Sequence, residues 1–225
     1  MPKPRSPERR SAILSAGARV IAAHGLGAAA TAAIAKEAGV SNGSLFVYFE
    51  TKAALINELF VTLKTEMGKA ALEGLPDQRS DEDSDEDSDR DGDRTRDQLA
   101  RMWAQWMRWA LSHPIERRAL AQLEVAEEIT NESRKAVDVA FDRLAQLLER
   151  CCSGGPMAET PLTFVVTLAS AIAEATVDAV VEEPDQAEAH SATAFDALWR
   201  VLAGAPSHLH EHPSPPAPPP GAEPA

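Results

Sequence analysis

The residues with the clearest chemical use in this sequence follow one short turn. Ser41, Asn42, Gly43 and Ser44 come soon after Gly39, a glycine placed where a left-handed residue ends a helix at least steric cost. The Ser41 hydroxyl can cap the helix that starts there, and the Asn42 amide can read a base edge in a DNA groove. Gly43 lets the backbone approach another molecule closely. These types and this spacing indicate recognition of DNA.

Bond-making chemistry has no comparable support in the sequence. Ser, His and acidic residues occur, but no nucleophile elbow, phosphate-binding loop or pair of metal ligands frames them. Cys151 and Cys152 are adjacent, which offers neither zinc-ligand spacing nor a disulfide framework. Residues 87–92 match the first half of a calcium loop, but Gln98 stands where its bidentate Glu belongs. We therefore expect no enzyme, no cofactor and no metal.

The polar turn lies between two short helical segments, at about residues 30–49. Ile34 and Ala35 supply apolar contacts in the first segment, and Leu45 and Phe49 lie one turn apart on the inner face of the second. Two helices joined by a short turn that contains Gly make a helix-turn-helix, whose second helix enters the major groove.

The net charge of −13 is unusual for a DNA-binding protein, but it is unevenly distributed. Residues 1–64 carry eight Lys and Arg against four Asp and Glu, a net +4, whereas residues 77–97 carry four against eleven, a net −7. The remaining residues contribute −10. The basic part coincides with the helix-turn-helix, where phosphates would be met, so the acidity elsewhere does not argue against DNA binding.

Alanine-rich amphipathic segments without strand-like alternation predict an all-α protein. An N-terminal three-helix bundle with the helix-turn-helix is expected to precede a C-terminal helical domain for ligand binding and dimerisation. The expected segments are a flexible arm at 1–8, a DNA-binding domain at 9–67, a disordered acidic loop at 76–97, the second domain at 99–203 and a Pro-rich disordered tail at 205–225.

Local signals predict where several helices begin and end. Thr51 should cap a fourth helix that continues until Pro76, and another helix should span residues 115–129. Thr160 should cap a helix that runs to about Glu183. The most apolar part of this last segment is too short to span a bilayer, so we expect no membrane contact and a cytoplasmic location.

The stretch from Ile13 to Leu63 resembles the N-terminal domain of the TetR/AcrR family of transcriptional repressors. The matching residues are His24-Gly25, Ile34-Ala35 and the run AGVSNGSLFVYF from Ala38 to Phe49. Later runs resemble the RamR-type multidrug-responsive branch of that family: WxxWxxWALSHP from Trp103, AEATVDA from Ala173 and the closing FDALWRVL.

The resemblance extends the set of expected DNA contacts beyond the first turn of the recognition helix. Thr31, Tyr48 and Lys52 match family positions that meet phosphate, and Phe46 and Val47 match positions that touch sugars or thymine methyls. The alternative for Tyr48 and Phe46 is ordinary core packing, because aromatic side chains are so often buried. The family often has Tyr where Phe46 stands, which reduces the number of polar readers here.

The second domain offers aromatic surface in place of catalytic groups. Trp103, Trp106 and Trp109 exceed what one helical stripe needs, although core packing is the alternative for each. The resemblance implies that Trp103 and Phe60 line a ligand pocket and that Ala169 stands where relatives carry an aromatic. Trp106 and the carboxylate of Glu124 are further candidates, because indole faces and an acid suit a bulky lipophilic cation.

These features predict a homodimeric repressor that binds a palindromic double-stranded DNA operator and is released by a small lipophilic effector. Phe195, Leu198 and Leu202 on the last helix are expected to contribute to the dimer interface. Efflux or detoxification genes are the expected targets. The alternative function is a helical module that binds a ligand or partner without operator-specific DNA binding.

Overall fold

A computed structural model describes residues 6–75 and 88–204, except for the side chains of 88–91 and 140. Residues 1–5 of the expected arm, residues 76–87 of the acidic segment and the whole expected tail at 205–225 lie outside the described residues. Within the described ranges all the regular secondary structure is helical, which confirms the all-α prediction. The helices are α1 (Pro7–His24), α2 (Thr31–Glu37), α3 (Asn42–Tyr48), α4 (Lys52–Ala71), α5 (Ser88–Ser112), α6 (Pro114–Glu124), α7 (Asn131–Cys152), α8 (Leu162–Glu182) and α9 (Ala187–Ala203), with a 3-10 turn (Pro184–Gln186) before α9.

Helices α1 to α4, at residues 7–71, form an N-terminal unit that we call the head. The side chains of Ile13, Ile34 and Leu45, one from each of the first three helices, are fully buried together in its core. Gly17 brings α1 close to α4, since a Cβ there would lie 3.3 Å from Leu59 Cδ2. Burial of one apolar face per helix is what stabilises elements as short as α2 and α3.

Helix α4, the last helix of the head, also packs on α5, α6 and α7. Thr51 caps it as predicted, because its hydroxyl accepts a hydrogen bond from the Ala54 amide at 3.0 Å. The predicted end at Pro76 was wrong: α4 ends at Ala71, and Gly74 follows with φ of 74°. A glycine in that conformation turns the chain without steric cost, so proline is not needed to stop the helix.

Helices α5 to α9, at residues 88–204, form a second unit that we call the body. The acidic segment was predicted to be disordered to residue 97, but α5 already begins at Ser88. Thr95 is buried one turn before Leu99, and Arg96 pairs with Asp196 at 2.8 Å and lies over the ring of Phe195. These contacts with α9 stabilise residues 88–97 of α5, nearly three turns of helix where the sequence predicted disorder.

Helix α6 is shorter than the span predicted for it, which was residues 115–129. It ends at Glu124, and residues 125–130 form a turn that leads into α7. Asn57 of α4 holds this turn from both sides. Its Nδ2 donates to the Glu128 carbonyl at 2.8 Å, and its Oδ1 accepts from the Thr130 amide at 2.8 Å. Asn57 therefore stabilises a turn where the sequence predicted that α6 would continue to residue 129.

Helix α7 spans Asn131–Cys152, and it ends with two buried, unbridged thiols. Burial raises the pKa of the Cys151 thiol from 9.0 to about 12, and the neighbouring Cys152 adds to this shift. Both thiols are therefore neutral at physiological pH and pack as small apolar groups.

Helix α8 begins at Leu162, and the Thr160 side chain does not cap it, in contrast to the prediction. The apolar run on which the membrane prediction was based belongs to a longer helix. At 21 residues α8 is the one described helix long and apolar enough, by length and composition alone, to cross a membrane. Its Glu174 and Asp178 instead bind Arg117 of α6, and its inner face packs on α9.

Candidate nucleic-acid interface

The turn before α3 has the geometry that its sequence predicts. Gly39 adopts a φ of 67°, in the left-handed region that favours glycine. The Ser41 hydroxyl accepts a hydrogen bond from the Ser44 amide at 3.0 Å and so caps α3. The uncapped amides of the first turn, at Asn42 and Gly43, remain directed outward at the positive end of the helix, where an anion is favoured.

The outer face of α3 is exposed while its inner face is buried. Leu45 and Phe49 lie in the core of the head, whereas Asn42 and Gly43 are open to solvent. Phe46 is 43% exposed and Val47 is 53% exposed. These two neighbouring apolar side chains do not contribute to the core. Phe46 is therefore not packed in the core, which was the alternative to a DNA contact. This face can meet a surface that has both apolar and polar groups.

The residues expected to contact phosphate lie at the ends of three successive helices, α2, α3 and α4. Thr31 opens α2, and both it and Tyr48 are half-buried. The Tyr48 hydroxyl accepts a long hydrogen bond from the Ser6 amide, at 3.4 Å. Lys52 Nζ donates to the Leu26 carbonyl, also at 3.4 Å. Hydrogen bonds of that length are weak, so both side chains can exchange them for a phosphate oxygen.

Arg10 of α1 fixes the far end of α3, a role that the sequence did not reveal. Its Nη1 donates to the Tyr48 carbonyl at 3.0 Å, its Nε donates to Glu58 at 2.5 Å, and its guanidinium lies 4.6 Å from the centre of the Phe49 ring. The hydrogen bonds to Glu58 raise the pKa of the Arg10 guanidinium above its ordinary value. The partners lie 38 to 48 positions along the chain, where no local pattern could indicate them.

Comparison with known proteins identifies this arrangement. Residues 13–59 match the family described as bacterial regulatory proteins, tetR family. Over these residues the head is similar to the N-terminal domain of that family. The match covers α1 from its seventh residue, all of α2 and α3 and the first part of α4, and so includes the whole exposed face of α3.

Solved TetR-family structures are similar in fold to most of the chain. A TetR family transcription regulator from Marinobacter aquaeolei VT8 matches with a TM-score of 0.71 at 22% identity, covering 86% of this chain and 95% of that one. One from Haemophilus influenzae Rd gives 0.65 at 20% identity, covering 89% and 99%. A TetR-like transcriptional regulator from Rhodococcus sp. RHA1 gives 0.61 at 20%, covering 90% and 100%. The RamR-type branch remains a prediction.

The residues expected to bind a ligand lie on helices α4, α5, α6 and α8, and all but Phe60 belong to the body. Phe60 and Trp103 are buried, and the Trp103 indole donates to the Ser191 hydroxyl at 3.0 Å. Trp106 and Ala169 are half-buried. Glu124 is exposed and already forms an ion pair with Lys64. The structure therefore shows Trp103 as a closed, hydrogen-bonded core residue.

A cleft of about 750 Å³ opens between the TetR-type head and the body, and none of the expected ligand residues lines it. Its walls come from the turn after α1 and from the end of α6 and the turn that follows. The lining residues are Leu26, Gly27, Gln122, Val125, Ala126, Glu127 and Glu128.

The residues expected at the dimer interface lie inside the chain. Leu198 and Leu202 are each 1% exposed, and Phe195 is also buried, because α9 presents this face to its own body. Helix α8 does carry exposed apolar residues, which the sequence pattern could not assign to a face. There Phe164, Leu168, Ala171, Ala175 and Ala179 recur at helical spacing along one stripe that is exposed or half-buried. We call this set the α8 stripe.

Proposed function

We propose that this chain is a DNA-binding transcriptional regulator that acts as a homodimer on a palindromic operator. The exposed face of α3 carries the proposal: an amide at Asn42, an open backbone at Gly43 and two exposed apolar side chains, Phe46 and Val47, stand on a helix whose opposite face anchors it in the core. Major-groove readout uses such a combination, since amides read base edges and apolar groups meet thymine methyls.

The distribution of charge supports the same function. The head, residues 7–71, carries seven Lys and Arg against five Asp and Glu, a net +2 in a chain of net −13, and it presents α3 at its surface. A local positive region attracts phosphate, and the acidic body disfavours non-specific contact elsewhere on the molecule. The head is the only part of the described chain that combines net positive charge with a helix-turn-helix.

The α8 stripe supports the homodimer. Its alanines allow a second helix to approach closely, and Phe164 adds an aromatic ring that is 56% exposed in the single chain. A two-fold pair of such stripes would hide the surface that makes α8 apolar enough to resemble a membrane helix. Two recognition helices related by a two-fold axis read half-sites one helical turn apart or a multiple of it, so the operator should be palindromic.

A small lipophilic effector, cationic in our proposal, would release the operator and so relieve repression of efflux or detoxification genes in the cytoplasm. Residues of the body outside the acidic segment carry most of the −10 of the remainder, which favours the approach of cations. Trp103 and Phe60 would line the site after the contact between Trp103 and Ser191 opens. Glu124 would have to leave Lys64 to neutralise the effector, so its ion pair is part of the closed state.

The experiment that tests the proposal is selection from a pool of random double-stranded DNA. Wild-type protein should enrich a palindrome, and Asn42→Ala should relax the choice at particular base pairs of each half-site, by about 1–3 kcal/mol of discrimination. Asn131→Ala is a matched control, because Asn131 is also an exposed first residue of a helix, directly after the capping residue Thr130. Enrichment of no sequence by the wild type would favour the helical module without operator binding.

A further inference from the structure

Gln122 of α6 connects the body to the head through both ends of its side-chain amide. Its Nε2 donates to the Ile21 carbonyl at 3.0 Å, and its Oε1 accepts from the Leu26 amide at 3.0 Å. The partners lie 101 and 96 positions away in the sequence. We call this pair of hydrogen bonds the Gln122 bridge.

The Gln122 bridge binds the backbone at the C-terminal end of α1. The Ile21 carbonyl is in the last turn of α1 and also accepts from the Gly25 amide at 2.9 Å, while Leu26 follows directly in the turn to α2. Gln122 is half-buried, so loss of its amide would leave these backbone groups partly shielded from water. A backbone group left in that condition is costly, which favours one position of α6 against α1.

The same helix is fixed to the body one and a half turns earlier. Arg117 donates from Nη1 to Glu174 at 2.6 Å and from Nη2 to Asp178 at 3.0 Å, and both acids are on α8. The Arg117 side chain is mostly buried, so screening by solvent is reduced. Helix α6 therefore joins the head at one end and, at the other, the helix that carries the α8 stripe.

The bridge also reaches the edge of the DNA-facing surface. The Leu26 residue whose amide binds Gln122 is the one whose carbonyl accepts from Lys52 Nζ at 3.4 Å. Lys52 opens α4 directly after the recognition helix. A displacement of Gln122 would thus move Leu26, whose carbonyl accepts the hydrogen bond from Lys52, a residue expected to contact phosphate.

We infer that Gln122 is a positioning residue that fixes the angle between head and body and thereby sets the distance between the two recognition helices of a dimer. The inference rests on the proposed function, which it deepens by naming the contact that selects half-site spacing. A residue that only stabilised the fold would change the amount of active protein and leave the preferred spacing as it was.

The first measurement is hydrogen exchange of the Leu26 amide in the free protein. Gln122→Met removes donor and acceptor at similar side-chain length, and exchange at Leu26 should become at least about tenfold faster, as expected for loss of a hydrogen bond worth about 1.4 kcal/mol. Gln146→Met, at an exposed glutamine of α7, is the matched control and should leave Leu26 unchanged. Unchanged exchange in Gln122→Met would show that the bridge does not form in solution and would overturn the inference.

The second measurement is affinity for the palindrome selected by the wild type, compared with the same DNA carrying one or two extra central base pairs. Gln122→Met should bind the selected palindrome about tenfold more weakly and should lose less affinity than the wild type on insertion, because its heads are less constrained. An equal loss on every DNA, with the spacing penalty unchanged, would refute the positioning role.

A second variant and the result with the wild type distinguish failure of this inference from failure of the proposed function. Gln122→Asn, one methylene shorter, keeps the amide but cannot span both partners, so it should show the same change and serves if the Met variant fails to fold. If wild-type protein enriches no DNA, the proposed function fails, while faster exchange at Leu26 would still establish the bridge.

Discussion

Gly43→Ala should make the protein more stable and weaker in binding DNA. No atom outside its own helix and chain neighbours lies within 4 Å of a Cβ built at Gly43, and its φ is not in the left-handed region. The added methyl therefore meets no steric cost in the free protein. Alanine in place of glycine in a helix is worth about 0.5–1 kcal/mol, and the position in the first turn of a seven-residue helix favours about 0.5. The midpoint temperature of thermal unfolding should rise by about 1–2 °C.

The same methyl would stand between the first turn of α3 and the DNA. If it removes one charge-assisted hydrogen bond from backbone to phosphate, the loss is about 1.5 kcal/mol per half-site. A dimer suffers the loss twice, which gives about 3 kcal/mol, or roughly 100-fold in the dissociation constant. Titration of the selected palindrome at constant salt, followed by fluorescence anisotropy, measures this directly.

Gly92→Ala is the matched control for Gly43→Ala. Gly92 lies inside α5 on the body, is exposed, and likewise has open space for at least 4 Å around the position that an added Cβ would take. The substitution should raise stability by about 0.5–1 kcal/mol and leave DNA affinity as in the wild type. Wild-type affinity in Gly43→Ala, with the protein folded, would refute the close approach of this backbone to DNA.

Three further predictions concern the body. Ala171→Glu in the α8 stripe should give monomers in sedimentation equilibrium, whereas Ala104→Glu, at an exposed alanine of α5, should not; a dimer of unchanged strength in Ala171→Glu would exclude the stripe. Burial raises the pKa of Cys151 from 9.0 to about 12, so this thiol contributes stability below its unfolded-state pKa that is lost as pH rises towards 12. The free energy of unfolding of the wild type should therefore fall more steeply over that pH range than that of Cys151→Ala. Parallel curves for the two proteins would contradict the raised pKa. Trp103→Ala should weaken binding of cationic dyes by roughly 1–2 kcal/mol with ligand-free operator affinity retained, and operator release by anionic hydrophobes alone would refute the cationic effector.

Local signals were sufficient for the head and insufficient for the contacts that position it. Gly39, Ser41 and Thr51 each act on backbone within a few residues, so their roles could be predicted without knowledge of the fold. Asn57 and Gln122 act on backbone 71 to 101 positions away, and nothing in a single sequence marks them. Residues of that kind are polar, half-buried or exposed, and indistinguishable from ordinary surface residues until the fold is known.

The errors in the body have a related physical cause. Helical periodicity showed that Leu198 and Leu202 would be covered, but it could not show whether the cover came from the same chain or from a partner. Helix α5 starts earlier than expected because Arg96 gains partners on α9, a contact that composition does not report. Sequence therefore identified the apolar faces, and the structure was needed to assign their partners.

The anchoring of α3 by Arg10 has a consequence for evolution and engineering. Arg10 binds the end of the helix through the Tyr48 carbonyl and the Phe49 ring, while Asn42, Phe46 and Val47 make no contribution to the buried core. Stability and base choice are thus assigned to different residues of the same short helix. Libraries randomised at these three exposed positions should retain a high fraction of folded members, so new operator preferences can arise without a compensating change elsewhere in the head.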